Sequence, residues 1–161
     1  GLFDVAKNQD QLAAVIGHES GHVVSRHANE RVSHSTLAEA GSGLVAAYVG
    51  RNRSPEQVKQ YVALLGAGTQ VGVLLPYSRL HESEADTLGQ ELMAKAGFDP
   101  AGAVTLWQNM IAAAGSGASP PRLLSTHPDP AVRASALAAR APQLAPVAQA
   151  ARAAGKRPAC G

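Results

Sequence analysis

Two histidines flank a glutamate in His18-Glu19-Ser20-Gly21-His22, set inside an apolar-periodic run from Leu12 to Val24. On a helix turning about 100° per residue, positions four apart lie roughly 40° apart, so both imidazoles leave one face and can meet a single metal ion. Glu19 sits one residue along, which directs its carboxylate to a water on that metal rather than to the metal itself. A zinc-dependent hydrolase needs that combination of paired imidazole ligands and a general base. The bland alternative is a buried helix with incidental histidines. Lone core histidines are common, but a pair around a glutamate is not.

A zinc site built on two histidines needs a third protein donor from elsewhere in the chain. His27 is nine residues from His18, about 180° round the same helix if that helix continues, so it is expected to pack or hydrogen-bond instead. The longer pattern H-E-x-x-H-x-x-G-x-x-H, which places a third histidine six residues on, is absent. The segment Ser78-Arg79-Leu80-His81-Glu82-Ser83-Glu84-Ala85-Asp86 offers two carboxylates four apart on one helical face. Glu82 can bind the metal, and Asp86 can accept the free ring N–H of a ligand histidine, fixing its tautomer. Taken alone, Arg79, Glu82, Glu84 and Asp86 also read as a solvated charged face.

The elements that must position these groups are helical. Periodicity predicts one helix from Asp10, as N-cap, to about Ser33 and a second over Thr36 to Tyr48, rich in small residues that allow close packing. Ser54-Pro55 opens a third helix through about Leu75, in which Gly66, Gly68 and Gly72 mark a close approach or a kink. Pro76 should interrupt the run, with a fourth helix from Ser78 to Ala96 closed by Gly97. Asp99-Pro100 launches a fifth to about Ala114, 115–121 reads as loop, and a last helix starts near Asp129-Pro130 and ends near Arg140. No strand and no internal repeat is evident. The domain is therefore placed at 1–145, with 146–161 an Ala/Pro-rich tail.

Composition narrows the partners. A chain of 161 residues, 45% hydrophobic, can close one sizeable core. Its 14 basic and 12 acidic residues form no block of positive charge, and two Phe, three Tyr and one Trp make no stacking platform, so nucleic acid is not expected as a partner. Cys160 has no second cysteine to pair with. The apolar stretches Gly43 to Val49 and Leu64 to Leu75 are too short or too Gly-interrupted to cross a bilayer of about 30 Å hydrocarbon. The start at Gly1-Leu2-Phe3, without Met or a signal pattern, suggests a fragment or processed form.

Three motifs in order, H-E-S-G-H, then S-R-L-H-E-S-E-A-D, then Ser125-Thr126-His127-Pro128-Asp129-Pro130-Ala131-Val132-Arg133, resemble the gluzincin family that contains the heat-shock membrane protease HtpX and the CAAX prenyl endopeptidases. The likeness is greatest to its soluble, bacterial periplasmic branch and covers about Gly1 to Leu137. It implies a mainly α, zincin-like metalloprotease domain with at most a small β element. It also implies Zn2+ at His18, His22 and Glu82, Glu19 as catalytic base, and Asp86 supporting a ligand. His127 and Arg133 match the family's H-P-x-x-x-x-R, whose side chains lie over the active site and stabilise the oxyanion, or in some resting forms let the histidine occupy the metal's open position.

The expected activity is that of a zinc metalloendopeptidase hydrolysing peptide bonds of proteins. Its expected substrates are unfolded or misassembled envelope proteins, in a periplasmic or outer-membrane-associated location. The family's upstream hairpin, whose edge strand pairs with extended substrate, is missing here, which would compromise peptide alignment. The alternative function is a chaperone-like or assembly-assisting binding protein with a latent zinc site, and a metal-free helical bundle is the third.

Overall fold

The His-Glu-x-x-His segment lies on α2 (Gln9–Val24), which follows a single turn, α1 (Leu2–Val5). These belong to a computed structural model that describes residues 2–115, 127 and 130–160. The N-cap is Asn8, whose Oδ1 accepts the Gln11 N–H at 2.9 Å, rather than Asp10. Asp10 has a longer-range task, since its Oδ1 accepts the Asp99 N–H at 2.8 Å.

The expected helix to Ser33 is corrected: α2 stops at Val24, and Arg26 takes the left-handed conformation, φ 55°, before α3 (His27–Val49) begins. A non-glycine residue there stores about 1–2 kcal/mol and carries no sequence signature. The break expected between Ser33 and Thr36 is absent, because Ser33 and Ser35 turn their hydroxyls back onto Asn29 O and Val32 O and stay within the helix. After 50–54, α4 (Pro55–Thr69) opens with a reciprocal Ser54–Gln57 capping box. A π-helical turn, Gln70–Leu74, then leads directly into α5 (Leu75–Lys95). Pro76 therefore does not break the chain. It falls in the first turn of α5, just after a widened turn in which the Leu75 N–H reaches Gln70 O.

Gly97 closes α5 as expected. Its φ of 94° lets Phe98 N–H reach Met93 O and Gly97 N–H reach Ala94 O, a Schellman ending. Next come α6 (Ala101–Gly115) and α7 (Pro130–Ala153). The expected loop beyond Gly115 and the expected cap at Asp129 lie outside the described residues. The predicted end near Arg140 is corrected, because α7 runs on through Pro142 and Pro146 to Ala153. Each proline removes one helical hydrogen bond, and tertiary contacts hold the segment instead. Ala141 and Ala148 are buried, Arg152 Nε donates to Gly97 O at 2.7 Å, and Lys156 Nζ donates to Lys95 O at 3.0 Å.

The chain divides into two compact units, residues 1–25 with 82–161, and residues 26–81. The first holds the apolar core, in which Leu106, Trp107 and Met110 of α6 pack with Ala13 and Ala14 of α2, Met93 of α5 and Leu137 of α7. Gln90 is buried there, its amide donating to Pro100 O and Leu137 O. In the second unit α3 and α4 pack as a hairpin. His27 is buried there and stacks on His81, ring centroids 4.2 Å apart, so it packs rather than joining the first two histidines. A Cβ on Gly66, Gly68 or Gly72 would meet nothing within 4 Å, so these glycines serve no close helix approach, although Gly72 lies within the π turn. The fold is mainly α, with no strand among the described residues.

Candidate metal centre

Close contact between α2 and α5 builds the site. A Cβ on Gly17 would lie 2.6 Å from Gly89 O, one on Gly89 2.6 Å from His18 N, and one on Gly21 2.7 Å from Ala85 O. Backbones can approach this closely only where side chains are missing. The seam sets the α5 carboxylates directly against the α2 imidazoles.

His18 Nε2 and His22 Nε2 lie 3.0 Å apart. Glu82 Oε2 is 3.4 Å from His18 Nε2, and Glu82 Oε1 is 3.4 Å from His22 Nε2. His127 Nδ1 is 3.2 Å from His18 Nε2 and 2.6 Å from Glu82 Oε2. Donors bound about 2.0–2.1 Å from a tetrahedral metal are about 3.3 Å from one another, so His18, His22 and Glu82 have the spacing of a metal shell, while His127 Nδ1 stands at hydrogen-bond distance from Glu82. The donor chemistry fits as well: three imidazole nitrogens and one carboxylate, all within 4.8 Å of one another. Glu82 Oε1 is buried and, apart from His22 Nε2 at 3.4 Å, has no polar partner, which suits it to a cation. Among the described residues no other group of this kind occurs.

Around this shell the charges are tightly organised. Asp86 Oδ1 lies 3.0 Å from His18 Nδ1, where it can accept the ring proton and leave Nε2 free for the metal. Arg133 forks onto Asp86 through Nε and Nη2, both at 2.6 Å, brings Nη1 within 2.8 Å of Glu82 Oε2, and lies 4.1 Å above the Trp107 ring. Burial raises the pKa of both carboxyls, but it is outweighed. Hydrogen bonds from Arg133 and His18 hold Asp86 below its ordinary value, and hydrogen bonds from His127, His18 and His22, with the Arg133 charge, hold Glu82 well below the carboxylate range. Burial lowers the His18 pKa, yet hydrogen bonds to Asp86 and Glu82 leave it raised overall.

The structure thus brings together every site residue named from the sequence, though not all in the same relation. Glu19 is more than half exposed, with Oε1 3.7 Å from His127 Nε2, at the open side of the cluster. Arg133 is buried beneath the carboxylates, its guanidinium engaged with Asp86, Glu82 and Trp107 rather than open to substrate. Sequence reasoning missed Trp107 as the platform for Arg133 and the role of the small-residue seam. The seam had a signal, since Gly17 and Gly21 on α2 and Ala85 and Gly89 on α5 each recur at four-residue spacing.

A helical domain with two histidines one turn apart, a carboxylate from a facing helix and a glutamate beside the first histidine has the layout of a metal-dependent peptidase. The chain belongs to Peptidase family M48, whose sequence model matches residues 1–141. It is 37% identical over 128 residues to the mitochondrial metalloendopeptidase OMA1 of Schizosaccharomyces pombe, covering 80% of this chain and 35% of that protein. It is 30% identical over 152 residues to the beta-barrel assembly-enhancing protease of Escherichia coli K12, covering 91% and 30% respectively. The mitochondrial metalloendopeptidase OMA1 of Bos taurus is 35% identical over 150 residues, covering 89% and 28%. The chain spans about a third of the length of these relatives. No solved structure gives a significant match. Metal dependence is a property of the family.

Proposed function

We propose that this chain is the catalytic domain of a zinc metalloendopeptidase. The observation that carries the reading is the convergence of His18 Nε2, His22 Nε2 and Glu82 at mutual distances of 3.0–3.4 Å beside Glu19. Imidazole and carboxylate donors at tetrahedral spacing suit zinc. Bound there, zinc supplies Lewis acidity for the scissile carbonyl and eases deprotonation of the attacking water. Glu19 accepts that water's proton and passes it to the leaving amine. Asp86 keeps the His18 proton on Nδ1, while Arg133 keeps Asp86 and Glu82 ionised and in place. His127 is the side chain best placed to steady the oxyanion. The Arg133 contribution to catalysis is accordingly one of positioning the carboxylates.

The substrates we propose are unfolded or misassembled envelope proteins in a bacterial periplasm, by analogy with the beta-barrel assembly-enhancing proteases. No helix among the described residues is long and apolar enough to cross a membrane. One observation favours a second, latent state: His127 Nδ1 stands within the donor cluster, where water or a substrate oxygen must enter. In that state the domain binds clients without cutting them.

A digest of casein with and without chelator tests the reading. Cleavage that chelator stops supports the peptidase, whereas suppressed aggregation without cleavage supports the binder. Glu19→Gln should abolish turnover with metal content still near one per chain, and loss of metal in that variant would remove Glu19 from the role of base.

A further inference from the structure

The α3–α4 hairpin has an apolar surface with almost nothing buried beneath it. Within these helices α4 buries no side chain and α3 only His27. Leu37, Leu44 and Tyr48 on α3, Leu64 on α4 and Val71 in the π turn are each 66–75% exposed. No Asp, Glu, Lys or Arg occurs from Ala40 to Gly50, which holds Leu44 and Tyr48, or from Gln60 to Ser78, which holds Leu64 and Val71; Leu37 lies beyond Glu39. Charge returns at the tip, where Arg51, Arg53 and Lys59 outnumber Glu56. There the Arg51 guanidinium lies 5.9 Å from the Tyr48 ring centroid and that of Arg53 lies 4.7 Å from Tyr61.

Uncharged apolar surface of this extent is unfavourable in water and calls for a cover. The tip decides which cover fits. Tyrosine rings with arginines suit the headgroup level of a bilayer, where the ring is half-immersed and the cation meets lipid phosphate. A second copy of this chain would bury the flanks but leave the net positive tip without an opposing charge. We propose that the α3–α4 hairpin attaches this chain to the surface of an anionic phospholipid bilayer, with its flanks in the boundary between headgroups and acyl chains. This attachment is independent of the peptidase reading.

The test is flotation of the full, metal-loaded chain with vesicles of phosphatidylcholine alone or mixed with phosphatidylglycerol. The wild type should float with the anionic vesicles, and less so as salt rises. Arg51→Gln with Arg53→Gln should weaken anionic binding by about twenty-five-fold, at about fivefold per basic residue. Leu44→Ser with Leu64→Ser should remove binding to both vesicle types while the helical circular dichroism signal and metal content stay unchanged. The proposal is overturned if the wild type floats with neither composition or if both double variants float as it does. It is also overturned if the chain forms a dimer by light scattering that the leucine changes dissolve while vesicles bind nothing. Should the leucine variant fail to fold, the tip variant decides alone.

Discussion

Arg133 and Asp86 meet in two hydrogen bonds of 2.6 Å, both side chains buried, with Trp107 against the guanidinium face. The fork fixes Asp86, which in turn faces His18 Nδ1, so the orientation of His18, the ligand proposed above, is set by a residue that does not itself reach the donor cluster. Removing one partner strands the other's charge in the interior, a loss of about 3–5 kcal/mol. Arg133→Leu should therefore lower the stability of the metal-free protein by that amount in urea unfolding. Arg133→Lys should recover only part of it, because an ammonium cannot fork onto both carboxylate oxygens. A leucine variant as stable as the wild type would mean that the fork contributes no stability.

Protonation of Asp86 and of His18 affects the protein in opposite directions. Asp86 has a folded pKa below its ordinary 3.8, so its contribution to stability is present above that pH and is lost as pH falls below it, toward the folded value. His18 has a folded pKa above 6.5, so in the metal-free protein its contribution is present below that pH and fades as pH rises through the folded value. A metal takes the neutral ring, however, and protons compete with it. The gain in Tm on adding zinc should therefore be largest near about pH 8 and shrink toward about pH 5.5, while the metal-free Tm rises as pH falls through the His18 folded value and drops only below about pH 4. Calorimetry with and without zinc across this range checks it, and a gain that does not vary with pH would detach His18 from the metal.

The contact between α2 and α5 predicts a contrast between two glycine-to-alanine changes. In Gly89→Ala the new methyl would meet His18 N at 2.6 Å, so the helices must part. Overpacking of this kind costs about 1–3 kcal/mol, and metal affinity should fall with it because Glu82 moves with α5. In Gly66→Ala the methyl meets nothing within 4 Å, and within α4 it should stabilise by about 0.5–1 kcal/mol. Competition with a chromophoric chelator, read beside thermal melts, separates the two effects. Gly89→Ala with unaltered affinity would show that the seam supports the fold without setting the site.

Much of the site could be read from the chain because its chemistry is local. Five residues fix the paired imidazoles with Glu19 between them, and a four-residue interval puts Glu82 and Asp86 on one face of α5. The Gly97 ending was legible for the same reason, since a left-handed closing residue is nearly always glycine. What could not be read was tertiary. Arg26 breaks the chain between α2 and α3 in a conformation that arginine does not advertise. Residues 146–153 look like tail because alanine carries little hydropathy and proline reads as a breaker, yet Ala148 is buried. The meeting of Trp107 and Arg133 follows no spacing rule, and the exposed flanks of α3 and α4 carry the apolar periodicity of any helix that packs.

His127 holds two positions at once, and they predict opposite outcomes. Its Nδ1 is 3.2 Å from His18 Nε2 and 2.6 Å from Glu82 Oε2, within the donor cluster, while its Nε2 faces Glu19 Oε1 at 3.7 Å. A residue so placed blocks the coordination position that water and substrate must share. His127→Ala keeps His18, His22 and Glu82, the three donors of the proposed zinc site, so zinc content should stay near one per chain. With the position open, chelator should strip the metal faster, and cleavage of unfolded casein should fall by less than the loss of an oxyanion donor alone would cost. If His127 served only the transition state, its removal would instead lower kcat by about 10²–10³-fold, the usual effect of losing one oxyanion donor. Single-turnover cleavage and the rate of zinc release, measured on the same preparation, separate the two. A hundredfold fall in rate with unchanged zinc release would sink the capping role.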